Sequence, residues 1–213
     1  MANRPRRPVI HVLAGVNGAG KSTIGGAAVR EAGGEYFNPD EVARGIRAED
    51  SALSIAEANA LAWDAGRRML EKAIAERLDY TFETTLGGET ITRMLHHALA
   101  AGFEVRIWFV GLASPALHVA RVRARVKAGG HDIPEATIRA RYDASRLNLI
   151  GLLPLATEVR VYDNTADADP RRGVAPQPIL LLHTIRGKVR WHSQLDAVPD
   201  WAKPILAAVL QRT

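Results

Sequence analysis

Residues 11–26 read HVLAGVNGAGKSTIGG, and three glycines, Gly15, Gly18 and Gly20, stand between an apolar run and the triplet Lys21-Ser22-Thr23. The run before them, VIHVLAG (9–15), is rich in valine and isoleucine and bounded by Pro8 and Gly15, the pattern of a buried strand. A helical pattern follows from about Lys21 to Glu31. Between a strand and a helix, glycines let successive backbone N–H groups curl inward on an anion, and the helix beginning there adds the positive end of its dipole. The spacing Gly15-x-x-x-x-Gly20-Lys21-Ser22 is that of a P-loop in its required context. It predicts a triphosphate cradle made by Gly15, Asn17, Gly18, Ala19 and Gly20, with Lys21 on the β- and γ-phosphates. The Ser22 hydroxyl is placed for Mg²⁺, with Thr23 beside it. ATP and Mg²⁺ are therefore the expected cofactors, and the phosphoryl acceptor has to be read from elsewhere.

Further strand patterns occur at 35–38 (EYFN), 80–85 (YTFETT), 104–112 (EVRIWFVGL) and 158–163 (EVRVYD). Helical patterns lie between them. NPDEVARGIR opens one, with Asn38 as cap, Pro39 in the first turn and Glu41 three residues after the cap. Residues 54–78 form a long one, with Leu61, Ala65, Met69, Ala73 and Ile74 as its apolar stripe. Others run from Glu89 to Ala101, over 115–127 and over 134–149, the last two separated by GGHDIP. This alternation predicts a three-layer α/β/α P-loop fold with a mostly parallel, five-stranded sheet of the nucleotide-kinase type. After a linker-like stretch at 164–178, a hairpin pattern turning at Gly187 and a terminal helical pattern make a small C-terminal extension. The expected organisation is one domain, with a core of about 8–165 and an extension over 166–213.

Of the 213 residues 47% are apolar and 24% charged, the balance of a globular domain. The absence of cysteine excludes a disulfide framework, thiol catalysis and a cysteine-ligated zinc site, and fits a cytoplasmic location. His96, His97 and His131 have no second ligand at metal-site spacing. No stretch reaches the ~18 apolar residues of a membrane span. The net charge is +5, and residues 115–146 hold seven basic side chains against three acidic ones, so an anionic partner is expected there. With only Tyr142 interleaved, nucleic acid is the less favoured partner.

Two acids fall where the acceptor of a P-loop kinase would sit, beside the carboxyl ends of the strands: Asp40 after the second strand and Glu83 near the end of the third. A carboxylate there, Asp40 or Glu83, can orient an acceptor hydroxyl and take its proton. Glu83 can instead approach Mg²⁺ through water or lie on the surface. Thr84 and Thr85, before Gly87-Gly88, suit contacts to a sugar or phosphate. Arg121 and Arg125 share a helix face, and Arg139 and Arg141 lie on the next helix across Gly129-Gly130, which predicts a lid that neutralises the transferring phosphoryl group.

GVNGAGKST, NPDEVAR, FETTL, RVRARVKAGGHDIPEATIRARY and VYDN, in that order over about 8–165, resemble the zeta-toxin family of P-loop kinases. The resemblance implies ATP-dependent phosphorylation of a UDP-N-acetyl amino sugar at its 3′-hydroxyl. Asp40 is then the general base, Glu83 lies by the site, and lid arginines, Arg125 and Arg141 in first place, bind phosphate. It also makes a separate antitoxin protein a candidate partner. Two other readings stand beside it: a nucleoside or other metabolite kinase, and a nucleotide-dependent switch or nucleic-acid-binding ATPase.

Overall fold

The computed structural model describes residues 6–26, 29, 31, 34–130, 132–166 and 177–211. Its strands are β1 (Val9–Ala14), β2 (Tyr80–Thr84), β3 (Glu104–Gly111), β4 (Glu158–Asp163), β5 (Ile179–Ile185) and β6 (Lys188–His192). They form one sheet in the order β2-β1-β3-β4-β5-β6. The first four are parallel, whereas β5 and β6 are antiparallel. The expected five-stranded, mostly parallel sheet is therefore corrected to a mixed sheet of six.

The difference has two local causes. Residues 35–38 make no strand, and Phe37 alone bridges to Phe82. The 178–192 segment turns at Arg186 and Gly187, both at positive φ (51° and 72°), the conformation a tight hairpin needs to match strand twist. It thus extends the sheet instead of standing apart from it.

The helices are α1 (Pro39–Glu49), α2 (Ile55–Glu76), α3 (Glu89–Ala100), α4 (Pro115–Lys127), α5 (Glu135–Leu152) and α6 (Lys203–Leu210). The Asn38 side chain caps α1 by accepting from the Asp40 N–H at 3.0 Å. Ser54 and Glu57 close a capping box on α2. The stripe α2 buries is Ala58, Ala62, Gly66, Leu70 and Ala73, displaced from the expected one, and Leu61 and Met69 stay exposed. Small residues win that face because Phe37 packs directly on Gly66.

Ile10 and Val12 of β1, Val105, Ile107 and Phe109 of β3, and Val159 and Val161 of β4 form the sheet side of the main core. Leu70 of α2, Leu95 of α3, Leu149 and Leu152 of α5, and Ile205 of α6 pack on it. The opposite face carries half-buried His11, Arg106, Trp108, Glu158, Arg160 and Tyr162, where Arg160 lies over the Trp108 ring and pairs with Glu158. The chain turns directly after the glycine loop.

That turn, Ser22–Gly26, winds as a wide π-type turn packed on Leu13. Most of the expected helix beyond it lies outside the described residues, as do residues 1–5, His131 and 167–176 of the linker-like stretch. No described helix is long and apolar enough to cross a membrane.

Candidate active site

The glycine loop leaves the carboxyl end of β1 between β2 and β3. Gly15 takes φ +140°, and a Cβ there would lie 2.2 Å from the Val110 carbonyl oxygen, so no side chain fits. At Gly20 (φ +91°) a Cβ would lie 2.6 Å from Nδ2 of Asn164, which follows β4 and donates from that atom to the Ala19 carbonyl at 2.8 Å. The loop is held from a third side by His118 of α4, whose Nδ1 lies 2.9 Å from the Asn17 carbonyl oxygen. Burial pushes the His118 pKa down to about 4, so the ring is neutral and Nδ1–H is the donor. The ring packs edge-on against Tyr142.

Register puts Glu83 of β2 beside Leu13, one residue before the strand runs into the loop. Its carboxylate is buried. Oε1 lies 3.4 Å from Lys21 Nζ, and Oε2 accepts from the Ser22 hydroxyl at 2.8 Å. Of the three sequence expectations for Glu83, the surface one is excluded. A hydroxyl and a carboxylate are hard oxygen donors, and Mg²⁺ typically takes one or two such protein ligands and completes its shell with phosphates and water. The Ser22–Glu83 pair fits that ion.

Asp40 sits in the first turn of α1, and its Oδ2 is 2.9 Å from Arg125 Nη1 of α4. Arg141 of α5 crosses Gly87, where a Cβ would lie 2.7 Å from its Cγ, and donates from Nη1 to Asn17 Oδ1 at 3.0 Å. Burial lowers the Arg141 pKa from its ordinary value, and the negative charge of Asp40 opposes that shift. The segment after β2 is fixed tightly. Ser145 donates to the Thr85 carbonyl at 2.6 Å, Asn148 donates to the Leu86 carbonyl at 2.8 Å, and buried Leu86 is held at φ +54°.

Asn17, Lys21, Asp40, Glu83, Thr84, Thr85 and Arg141 all line one cavity of about 720 Å³. Arg125 reaches it through Asp40. Two expected lid arginines point elsewhere: Arg121 donates to the Thr165 and Ala166 carbonyls, and exposed Arg139 pairs with Glu135 on its own helix. Thr23 is exposed. Gly129 and Gly130 close α4 by donating to the Val126 and Arg125 carbonyls.

The cavity extends away from the glycine loop to a wall that the sequence reading did not foresee: Ile55, Asn59, Trp63 and Arg67 of α2, facing Thr90, Ile91 and Ile133. Trp63 was the one signal, a large aromatic off the expected apolar stripe. His118 and Asn164 gave none, since a lone histidine in a helix and an asparagine after a strand are common.

Comparison with known proteins places this geometry. The family model described as an AAA domain (AAA_33) matches residues 10–145. An uncharacterized protein of Haemophilus influenzae is 33% identical over 133 residues, spanning 60% of this chain and 88% of that protein. Among solved structures, AvrRxo1-ORF1 with ORF2 and ATP is similar with a TM-score of 0.67 at 14% identity, over 96% of this chain and 64% of that one. A structure of the PezAT chromosomal toxin–antitoxin system of Streptococcus pneumoniae gives 0.56 at 16% identity, over 99% and 87%. A putative kinase from Chloroflexus aurantiacus gives 0.57 at 16% identity, over 79% and 96%. At such identities the structural likeness is one of fold, here that of a P-loop protein. The family match, over residues 10–145, takes in the glycine loop, Asp40, Glu83, Arg125 and Arg141, and the chain belongs to the AAA_33 family of AAA domains.

Proposed function

We propose that this protein is an ATP-dependent phosphotransferase that moves the γ-phosphate to a hydroxyl of a small acceptor, a UDP-N-acetyl amino sugar at its 3′-hydroxyl. The observation that carries the reading is that Lys21 and Asp40 line one cavity, of about 720 Å³. A switch that only positions a water needs no such volume beyond its phosphate site. A kinase needs a second pocket, with a base at the junction.

The residues divide the work as follows. The loop N–H groups and Lys21 hold the triphosphate, and the Ser22 hydroxyl with Glu83 would hold Mg²⁺, which would supply positive charge to the phosphates. Asp40 Oδ accepts the proton of the acceptor hydroxyl as its oxygen bonds to the γ-phosphorus and the bond to the β-bridging oxygen breaks, leaving ADP. Arg141 and Arg125 neutralise charge on the transferring group. For Arg125 this requires leaving Asp40, which frees the carboxylate for the acceptor. Thr84 and Thr85 contact the acceptor.

The choice of a UDP-amino sugar rests on the motif resemblance alone, and the PezAT toxin–antitoxin structure shares the fold. The same likeness supports a separate antitoxin as partner. The test is incubation with Mg²⁺, ATP and UDP-N-acetylglucosamine, read by mass. A product one phosphate heavier on the sugar is expected. Inertness towards UDP-amino sugars with activity on a nucleoside would replace this acceptor by the metabolite-kinase alternative.

A further inference from the structure

A second cavity, of about 280 Å³, lies between α1 and α2 and shares Asp40, Ile55 and Asn59 with the main one. It is therefore an annex of the acceptor pocket, reached past Asp40. Its remaining charged side chains are Arg44 and Arg47, three apart on one face of α1. Their Nε atoms donate to backbone carbonyls, Arg44 to Asp40 and Arg47 to Leu53, both at 3.3 Å. These bonds fix the shafts and leave the forked ends for another acceptor. Among the described residues neither arginine forms an ion pair. This sets them apart from Arg67 in the main cavity, which is committed to Asp64 and Glu71. At the junction stands half-buried Asn59, whose amide can both donate and accept.

We propose that this annex is an anion subsite, in which Arg44 and Arg47 hold a phosphate or diphosphate group of the acceptor while its hydroxyl lies at Asp40. Two guanidinium forks match phosphate oxygens in pairs. A neutral sugar or a plain nucleoside would leave the subsite unfilled. The subsite thus selects for acceptors with an anionic group on the side remote from the lid. This deepens the proposed reaction and rests on it for the position of the acceptor hydroxyl.

The test uses the whole protein with its glycine loop filled by excess Mg²⁺ and a non-hydrolysable ATP analogue, so that added anions meet only the acceptor side. UDP and inorganic pyrophosphate are titrated calorimetrically into the parent and into Arg44→Gln/Arg47→Gln. Both side chains are exposed, and unfolding curves check that the variant folds like the parent. The expected result is binding of both probes that falls by at least about tenfold in the variant and weakens with salt. Equal binding to parent and variant, or no binding of either probe to the parent, overturns the subsite. Arginine-dependent binding with no phosphorylation of UDP-N-acetylglucosamine keeps the subsite and removes the proposed acceptor instead.

Discussion

Arg125 Nη1 stands 2.9 Å from Asp40 Oδ2, and so ties the end of α4 to the first turn of α1 across the mouth of the cavity. An aspartate engaged in this way keeps its place until the arginine is drawn elsewhere. For Asp40→Asn, which keeps the volume but cannot take a proton, transfer should fall by ~10² to 10⁴. Binding of a fluorescent ATP analogue should be retained, since the loop at 15–22 is formed by other elements. Transfer at the parental rate by the variant would remove Asp40 from the role of base.

Lys21 and Glu83 make the second ion pair of the site, and both side chains are only 7% exposed. Lys21→Ala should abolish turnover. It should also destabilise the fold by about 3 kcal/mol, because removing one partner leaves a buried carboxylate without its counter-charge. Lys21→Met with Glu83→Gln should be as inactive yet regain most of that loss. Urea unfolding of the two variants separates these effects, and equal stability of Lys21→Ala and parent would contradict the buried pairing.

What the sequence disclosed was what local spacing controls. The glycine loop, β1 through β4, the cap at Asn38 and the limits of α4 follow from turn chemistry and periodicity. The arrangement also brings Lys21, Asp40, Glu83 and Arg141 to one cavity. Long-range contacts decided the rest. Tyr36-Phe37 reads as a strand, but Phe37 packs on Gly66 of α2 and pairs only once with Phe82. That same ring sets which stripe of α2 is buried. The terminal segment reads as an appendage, yet Trp201 packs on Gly111 and donates to Asp163 at 2.9 Å, and Arg146 reaches the Trp201 carbonyl at 3.1 Å. Among the arginines the resemblance put Arg125 and Arg141 first, but helix face alone does not reveal that Glu135 takes Arg139 or that Asn17 takes Arg141.

The burial of His118, only partly offset by its contact with the Asn17 carbonyl, gives stability a pH signature. Its pKa is about 4 in the folded protein against 6.5 when unfolded. A lowered histidine pKa means that the unfolded chain binds the proton more readily. The contribution is therefore full above pH 6.5 and is lost as pH falls from there towards 4. It amounts to at most about 3 kcal/mol. Carboxylates titrate in the same window, so the readout is the difference between parent and His118→Asn, which keeps a donor in place of Nδ1–H. The parent should lose more stability than the variant between neutral pH and pH 4. Parallel stability curves would mean that His118 is not a buried neutral donor.

The lid gives the sharpest contrast, because two arginines on one helix differ in what they touch. Arg141 lines the cavity and bonds Asn17, whereas Arg139 is exposed and held by Glu135. Arg141→Gln should lower kcat by ~10³ if its guanidinium meets the transferring phosphoryl group. Arg139→Gln should stay within about twofold, the effect of a surface ion pair worth under ~1 kcal/mol. Arg125→Gln should also lower kcat, but with a KM for the acceptor that changes as Asp40 loses its partner. Steady-state kinetics at saturating ATP separates the three. If Arg141→Gln raised only the KM for ATP, its contact would belong to ground-state binding. If Arg139→Gln were the damaging change, the lid would have to close through a movement of α5 that the present arrangement of Arg141 over Gly87 does not contain.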